Sequence, residues 1–472
     1  MMKSQLYREG LVILLGLQLL ASCKVSKDVA VPDTGLPATY RDTKADTTSI
    51  GKMPWESFFS DPELKTLIAN AIAHNNDLQV AVKDIDAADL TLRQAKLGNI
   101  PSVGLQATAV SNRPSDNSLN GLTLNQFLNS KHIEDYTVAA SLSWEADIWG
   151  KIRSQKAAAL AAYLQTNEAR KVVQTRIVSD VAKGYYNLLM LDAQLGIAKR
   201  NVRLNDSTLT IIRLQYRAGQ VTSLAIQQAQ AQKLVAEGLV PQFEQQISIQ
   251  ENAISILSGV FPGNIVRQRA LASVSVSGDL GTGIPAELLS RRPDVKLAEL
   301  ALSEANANVG YAKASLYPSL AITAQGGLDA FKANNWFNIP ASLFGAVAGG
   351  ITQPLFEQKK LNTLYRVAKV HREETVVRFR QSVLTAVGEV ADNLVKIEKL
   401  RQQQDFAAQR VSTLQQATHN SQLLFGNGLA TYLEVITAQS NVLQSELELA
   451  GIKKSQLDAR VDLYQAVGGG WK

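Results

Sequence analysis

Few residues in this chain are arranged for bond-making chemistry. Gly281-Thr-Gly283-Ile-Pro-Ala286 follows Val274-Ser-Val276 and imitates the glycine-rich turn that seats a dinucleotide. A lone match of this kind carries little weight, and Pro285 intrudes where the helix should begin. No Walker-type loop and no His-Glu-x-x-His is present. His74, His132, His371 and His419 stand apart in sequence, which disfavours a metal site. Met1, Met2, Met53 and Met190 form no ladder of soft ligands, so copper or silver gains no support as a specific cargo. No enzyme, cofactor or metal is expected.

Cys23 is the one residue with a reactive group in a telling place. It is the only cysteine, so no internal disulfide can form. Lys3 and Arg8 make a basic start, residues 10–22 are a short apolar run, and Leu20-Ala21-Ser22 places small residues before the thiol. A membrane span needs ~20 apolar residues, so this run reads as an export signal. The local pattern resembles a bacterial lipobox, in which the cysteine is acylated and becomes the first residue of the mature chain; the alternative is an ordinary signal peptide with an incidental cysteine. No later segment offers the ~18 apolar residues of a spanning helix. A mature chain that crosses a membrane must then do so as strands of a closed barrel. A net charge of +6 without a basic block excludes nucleic acid as an expected partner.

Residues 24–52 are polar, carry Pro32 and Pro37, and read as a tether. Organisation begins near residues 55–61, and the chain then repeats itself. Asp77-Leu78 matches Asp294-Val295, and at the same offset Ala88 meets Ala305, Ala95-Lys96 meets Ala312-Lys313, and Pro101-Ser102 meets Pro318-Ser319. At a slightly different offset Tyr216 meets Phe425, Gly219 meets Gly428, Leu224 meets Leu433, and Ala229-Gln230 meets Ala438-Gln439. Two repeats are expected, too long and too few for a short-repeat solenoid.

Proline is absent between Pro114 and Pro241 and again after Pro354, in stretches rich in good helix formers. Leu384, Val387, Val390, Ala391, Leu394 and Ile397 recur at helical spacing. A helix over 359–424 would be ~100 Å long and must pack on neighbours, as in a coiled coil or helical barrel. Between the helices the period changes to two. In 136–148 the even positions, from Tyr136 and Val138 to Trp144 and Ile148, are all apolar, and the odd ones are small or polar. Leu320, Ile322, Ala324, Gly326 and Leu328 alternate likewise, Val103 to Ala109 more weakly, and 343–354 most weakly. Each strand suits a bilayer at ~9–11 residues, with Trp144 and Trp149 as interfacial aromatics. Four strands cannot close a membrane barrel, which needs about eight, so chains must share one. Two or three copies would serve. The alternative is a soluble helical protein with two surface hairpins.

Pro285-Ala-Glu-Leu-Leu-Ser-Arg-Arg-Pro-Asp-Val295, Ala305-Asn-Ala307 through Tyr317-Pro-Ser319, Ser143-Trp-Glu-Ala-Asp-Ile-Trp-Gly150, Gln353-Pro-Leu-Phe356 and Leu463-Tyr-Gln-Ala-Val-Gly-Gly-Gly-Trp471 together resemble the TolC-type outer-membrane efflux family, in its OprM-like lipoprotein branch. The resemblance implies a mixed α and β membrane protein: a periplasmic α-barrel of long helices and four strands per chain in a shared, trimeric, twelve-stranded outer-membrane β-barrel. It implies a signal peptide over 1–22, a lipidated tether over 23–54, a first repeat over 55–262, a linker over 263–283 and a second repeat over 284–472. It implies passive exit of drugs or other small molecules across the outer membrane. The partners would be a periplasmic adaptor and an inner-membrane transporter of the resistance-nodulation-division type.

By the same resemblance Tyr216-Arg-Ala-Gly219 and Phe425-Gly-Asn-Gly428 mark turns that dock the adaptor, although a glycine at a helix end also has a purely structural use. Leu433, Glu434 and Thr437 would narrow the closed tip: a leucine ring blocks hydrated solutes, and three Glu434 carboxylates favour cations in the throat. Some relatives carry Asp at the position of Thr437, which puts a second acidic ring in doubt. Arg291, Arg292 and Asp294 look like a helix-start cluster with Pro293 in the first turn, a matter of packing more than transport. Two alternatives remain, a type I secretion channel and a periplasmic coiled-coil adaptor or structural lipoprotein.

Overall fold

Asp61 opens the first long element for a local reason. Its carboxylate accepts the N–H groups of Glu63 at 2.9 Å and Leu64 at 3.4 Å, and Pro62 takes the first helical position, where no N–H is missed. The structure is a computed structural model and describes residues 25–33, 35–40, 49–128, 130–274 and 281–472. In chain order the main elements are α1 (Pro62–His74), α2 (Asn76–Lys96), β1 (Ser102–Asn112), α3 (Leu119–Leu128), β2 (Ile133–Ala146), α4 (Lys151–Arg217), α5 (Ser223–Leu257), α6 (Pro293–Ala314), β3 (Ser319–Ala330), β4 (Leu343–Thr352), α7 (Lys360–Gly426) and α8 (Tyr432–Ala466).

The repeat seen in sequence is a repeat of elements. α4 and α7 each run 67 residues, and α5 and α8 each run 35. The two strands of the first repeat are joined by residues 113–132, which include α3, and those of the second by the shorter 331–342. That shortening is why one offset fails to align both ends of the repeats. Helix α3 is not expected from the sequence pattern, and α5 runs through Pro241.

The four strands form one antiparallel sheet in the order β1-β2-β3-β4. Directly paired residues share a face, so the register tests the alternation. Val138 pairs with Ala107 and Leu328, Leu142 with Val103 and Ala324, and Trp144 with Ile322. Ile351, Gly349, Val347, Gly345 and Leu343 of β4 continue that face opposite Leu320 to Leu328. The other face carries Ser141, Ser143, Thr137, Gln106, Thr108, Thr323 and Gln325. The apolar set is therefore continuous across all four strands. Strand β2 starts and stops earlier than the predicted 136–148. Asp147 instead turns back to accept the N–H groups of Ile152 at 2.8 Å and Arg153 at 2.9 Å, capping α4.

The chain falls into two compact units. One holds Asp86–Leu164 and Glu299–Val377 with residues 25–32, and so contains the sheet. The other holds Asp33–Ile85, Gln165–Ala298 and Arg378–Lys472. The largest core lies in the second unit. Tyr185, Leu189, Phe379, Val383, Leu463 and Tyr464 are buried there with Leu64 and Ile68 of α1. Burying each such side chain contributes roughly 1.5–3 kcal/mol. Tyr464 stacks on Phe58 at 4.0 Å and its hydroxyl donates to the Met53 carbonyl at 2.6 Å, and burial pushes its phenol up to about 12. Tyr185 donates to the carboxylates of Asp61 at 3.1 Å and Glu63 at 3.2 Å. Burial and those two neighbours push its phenol upward.

The Arg291-Arg292-Asp294 cluster is part of this unit's scaffold. Arg292 makes a fork to Asp294 at 3.0 and 2.6 Å, reaches Glu389 of α7 at 2.6 Å and the Ala466 carbonyl of α8 at 3.2 Å. Arg291 pairs with Glu287 at 2.5 Å. Arg267, in the segment between the repeats, binds Asp192 of α4 and Glu251 of α5 through both sides of its guanidinium.

Candidate functional site

The turns after α4 and α7 are built alike. In the first, the Gln220 N–H donates to the Gln215 carbonyl at 2.8 Å and the Gly219 N–H to Tyr216 at 2.9 Å. In the second, Leu429 donates to Leu424 at 2.8 Å and Gly428 to Phe425 at 3.1 Å. This paired pattern caps the last carbonyls of a helix and needs a left-handed residue. Gly219 has φ +75° and Gly428 φ +73°, with nothing within 4 Å of where a Cβ would stand. Thr222 and Thr431 then begin the return helices.

The structure brings the two turns together. Leu209 and Ile212 of α4, Ala225 and Ala229 of α5, Phe425 and Val435 form one buried cluster. The aligned aromatics differ in use: Phe425 is 4% exposed inside the cluster, while Tyr216 is 47% exposed. At the surface of this region Tyr216 and the glycine turns are the exposed part. Lys233 of α5 also binds Asp206 of α4 at 2.6 Å, which holds the Asp206 carboxyl below its usual range.

Leu433, Glu434 and Thr437 lie in the first turns of α8 and are all exposed, Leu433 at 56%. Among the described residues no interhelical seam covers Leu433. Glu434 also has a structural task at the start of α8. Its carboxylate accepts the Thr431 N–H at 2.6 Å, and the Thr431 hydroxyl accepts the Glu434 N–H in return. Thr431-x-x-Glu434 is a capping-box spelling, legible without a structure. The aligned position in the first repeat is Ala225, which is buried.

The sheet is the second candidate. Trp144 donates its indole N–H to the Asn99 carbonyl at 2.9 Å, and Trp149 donates to Pro318 at 2.7 Å while stacking on Tyr317 at 4.9 Å. Both aromatics sit at the strand-to-helix end of β2, with an apolar ring and a satisfied polar tip. Among the described residues no helix is long and apolar enough to cross a membrane, and no group of three or more His, Cys, Asp or Glu is placed to hold a metal ion. Cys23 lies outside the described residues.

Residues 67–260 and 284–469 match the family model described as outer membrane efflux protein. The chain belongs to the outer membrane efflux protein family. Among its relatives, the solvent efflux pump outer membrane protein SrpC of Pseudomonas putida is 28% identical over 466 residues, covering 96% of this chain and 97% of the relative. The solved structure of CusC is 25% identical, with a TM-score of 0.83 over 94% of this chain and 99% of that one. The outer membrane channel MtrE of Neisseria gonorrhoeae shares the fold at 24% identity and a TM-score of 0.83, over 95% of this chain and 99% of that one.

As an outer membrane efflux protein the chain has the TolC-like arrangement of two repeats, long helices and four antiparallel strands. It is an outer-membrane channel component of efflux pump systems, and it is not an enzyme.

Proposed function

We propose that three copies of this chain close a single twelve-stranded barrel in the outer membrane, above a tunnel of long helices. The assembly conducts small molecules passively, as the exit duct for an inner-membrane transporter of the resistance-nodulation-division type joined by a periplasmic adaptor. One observation carries this reading. Among the described residues β1 and β4 each pair on one side only, while the apolar face runs unbroken between them. Lipid tolerates no open sheet edge, and four strands are too few to close. Three copies, each joining β4 to the next β1, remove every edge.

The domain plan proposed with it is a signal peptide over 1–22, a tether over 23–54 acylated at Cys23, repeats over 55–262 and 284–472, and a linker over 263–283. The paired turns, with Tyr216, Gly219 and Gly428 at the surface and Phe425 supporting them from inside, dock the adaptor. Leu433, Glu434 and Thr437 narrow the entrance. Relatives whose names speak of solvent, toluene and cation efflux support a duct whose cargo is set by the pump.

The test is made on the full-length protein in a Gram-negative host. Membranes are separated, the outer-membrane fraction is extracted in detergent, and the particle mass is read by native mass spectrometry. A trimer carrying acyl mass is the expected result. A processed, folded, soluble monomer would overturn the proposal.

A further inference from the structure

Asn306, in the Ala305-Asn-Ala307 motif of α6, holds a distant segment of main chain. The Asn306 Oδ1 accepts the Val29 N–H at 3.0 Å, and its Nδ2 donates to the Val29 carbonyl at 2.9 Å. One side-chain amide thus satisfies both main-chain groups of one residue, as a rung of a β-ladder would. The tether's Val25, Ser26 and Asp28 form one wall of a groove whose other wall includes Ser154 of α4 and Ala307 and Gly310 of α6. Ser26 is 9% exposed in that groove. A Cβ on Gly310 would lie 2.8 Å from the Ser154 Oγ and 3.1 Å from the Ser26 Oγ, so glycine makes the room. From α7, Arg372 donates to the Lys27 carbonyl at 3.3 Å. Main chain that is polar and close to protein must have its hydrogen bonds met, and here α6 and α7 supply three of them.

We propose that Asn306 is a positioning residue that clasps the N-terminal tether, so that only the residues between Cys23 and Ser26 remain as a leash for the lipid. The groove also contains Trp149 and Gly150, the corner between β2 and α4. Three residues span at most ~11 Å. An acyl chain on Cys23 therefore enters the bilayer close to that corner, at the foot of the sheet, and the anchor and the strands share one depth. A leash of this length holds the lipid near its entry point far more strongly than a free tether reaching back to residue 49 would. The consequence for the lipid rests on the acylation of Cys23 proposed above; the clasp does not.

The experiment uses the extracted full-length protein and reads trypsin cleavage after Lys27, whose carbonyl Arg372 holds. The rate is compared with that of a synthetic peptide of residues 24–33, and the acyl mass of the N-terminal fragment and the particle mass are recorded alongside. The wild type should resist, and Asn306→Ala should be cut about tenfold faster or more, because local opening no longer breaks two hydrogen bonds. Val29→Pro removes the N–H from the tether side and leaves the helices untouched. Normalised to its own peptide, it should also be cut faster, which keeps the test alive if Asn306→Ala fails to assemble. Cleavage of either assembled variant at the wild-type rate, or of the wild type at the peptide rate, would overturn the clasp. A protected tether on a chain without acyl mass would overturn the acylation of Cys23 alone.

Discussion

The Glu434 carboxylate accepts the Thr431 N–H at 2.6 Å and lies 3.1 Å from the Thr431 hydroxyl, so the residue expected to line a gate also starts the helix that carries it. The two roles separate by substitution. Glu434→Gln keeps a capping-box side chain and should leave stability unchanged to within a few tenths of a kcal/mol. It should still lower the cation-over-anion permeability ratio in planar bilayers. Glu434→Ala loses the cap, at about 1 kcal/mol of local helix stability, and should raise the resting conductance. An assembled Glu434→Ala channel with wild-type conductance would remove Glu434 from the closure.

Glycines with similar backbones should differ in their tolerance. Gly428→Ala meets open space and suffers only the left-handed φ, about 1 kcal/mol. Gly259→Ala adds to the same strain, at φ +66°, a Cβ placed 2.2 Å from the His74 carbonyl oxygen. Thermal unfolding of the detergent-extracted protein should show a small loss for the first and a loss at least twice as large for the second.

The corner before each 67-residue helix uses a left-handed residue. In the first repeat it is Gly150, at φ +74°, and at the aligned place in the second it is Lys359, at φ +66°. Lys359→Gly should therefore stabilise the protein by about 1 kcal/mol, and Gly150→Lys should destabilise it by a similar amount. Equal midpoints for Lys359→Gly and wild type in denaturant would contradict the assignment.

Arg292 should couple stability to acid. Burial raises the Asp294 carboxyl, but its hydrogen bonds and charge pairing with Arg292, and those from backbone N–H groups, outweigh this and hold it below its usual range. A depressed carboxyl gives stability that is present above the unfolded value and lost as pH falls through the folded one. Arg292→Ala should cost about 2 kcal/mol at neutral pH, since Asp294 and Glu389 keep partial access to water. Its stability should also fall less steeply than the wild type's below about pH 4. Parallel acid-unfolding curves would refute the coupling.

The sequence by itself determined what depends on near neighbours along the chain. Alternation marked the faces of β2 and β3, because successive side chains of a strand point to opposite sides whatever they pair with. Proline-free runs marked the long helices, glycines marked the two turns, and the Thr431-x-x-Glu434 spelling was available to be read. The tertiary structure decided the rest. Strand β4 was the faintest in sequence, yet it pairs along most of β3, because main-chain hydrogen bonds complete a ladder that glycine side chains cannot advertise. Tyr216 and Phe425 align as equivalents, but Tyr216 is exposed while Phe425 is buried in the cluster where the two turns meet. Asn306 looked like an ordinary helix residue until residue 29, far away in the chain, was brought against it. Local periodicity names an element and its face; which distant segment covers that face depends on packing and hydrogen bonding that no short window of sequence contains.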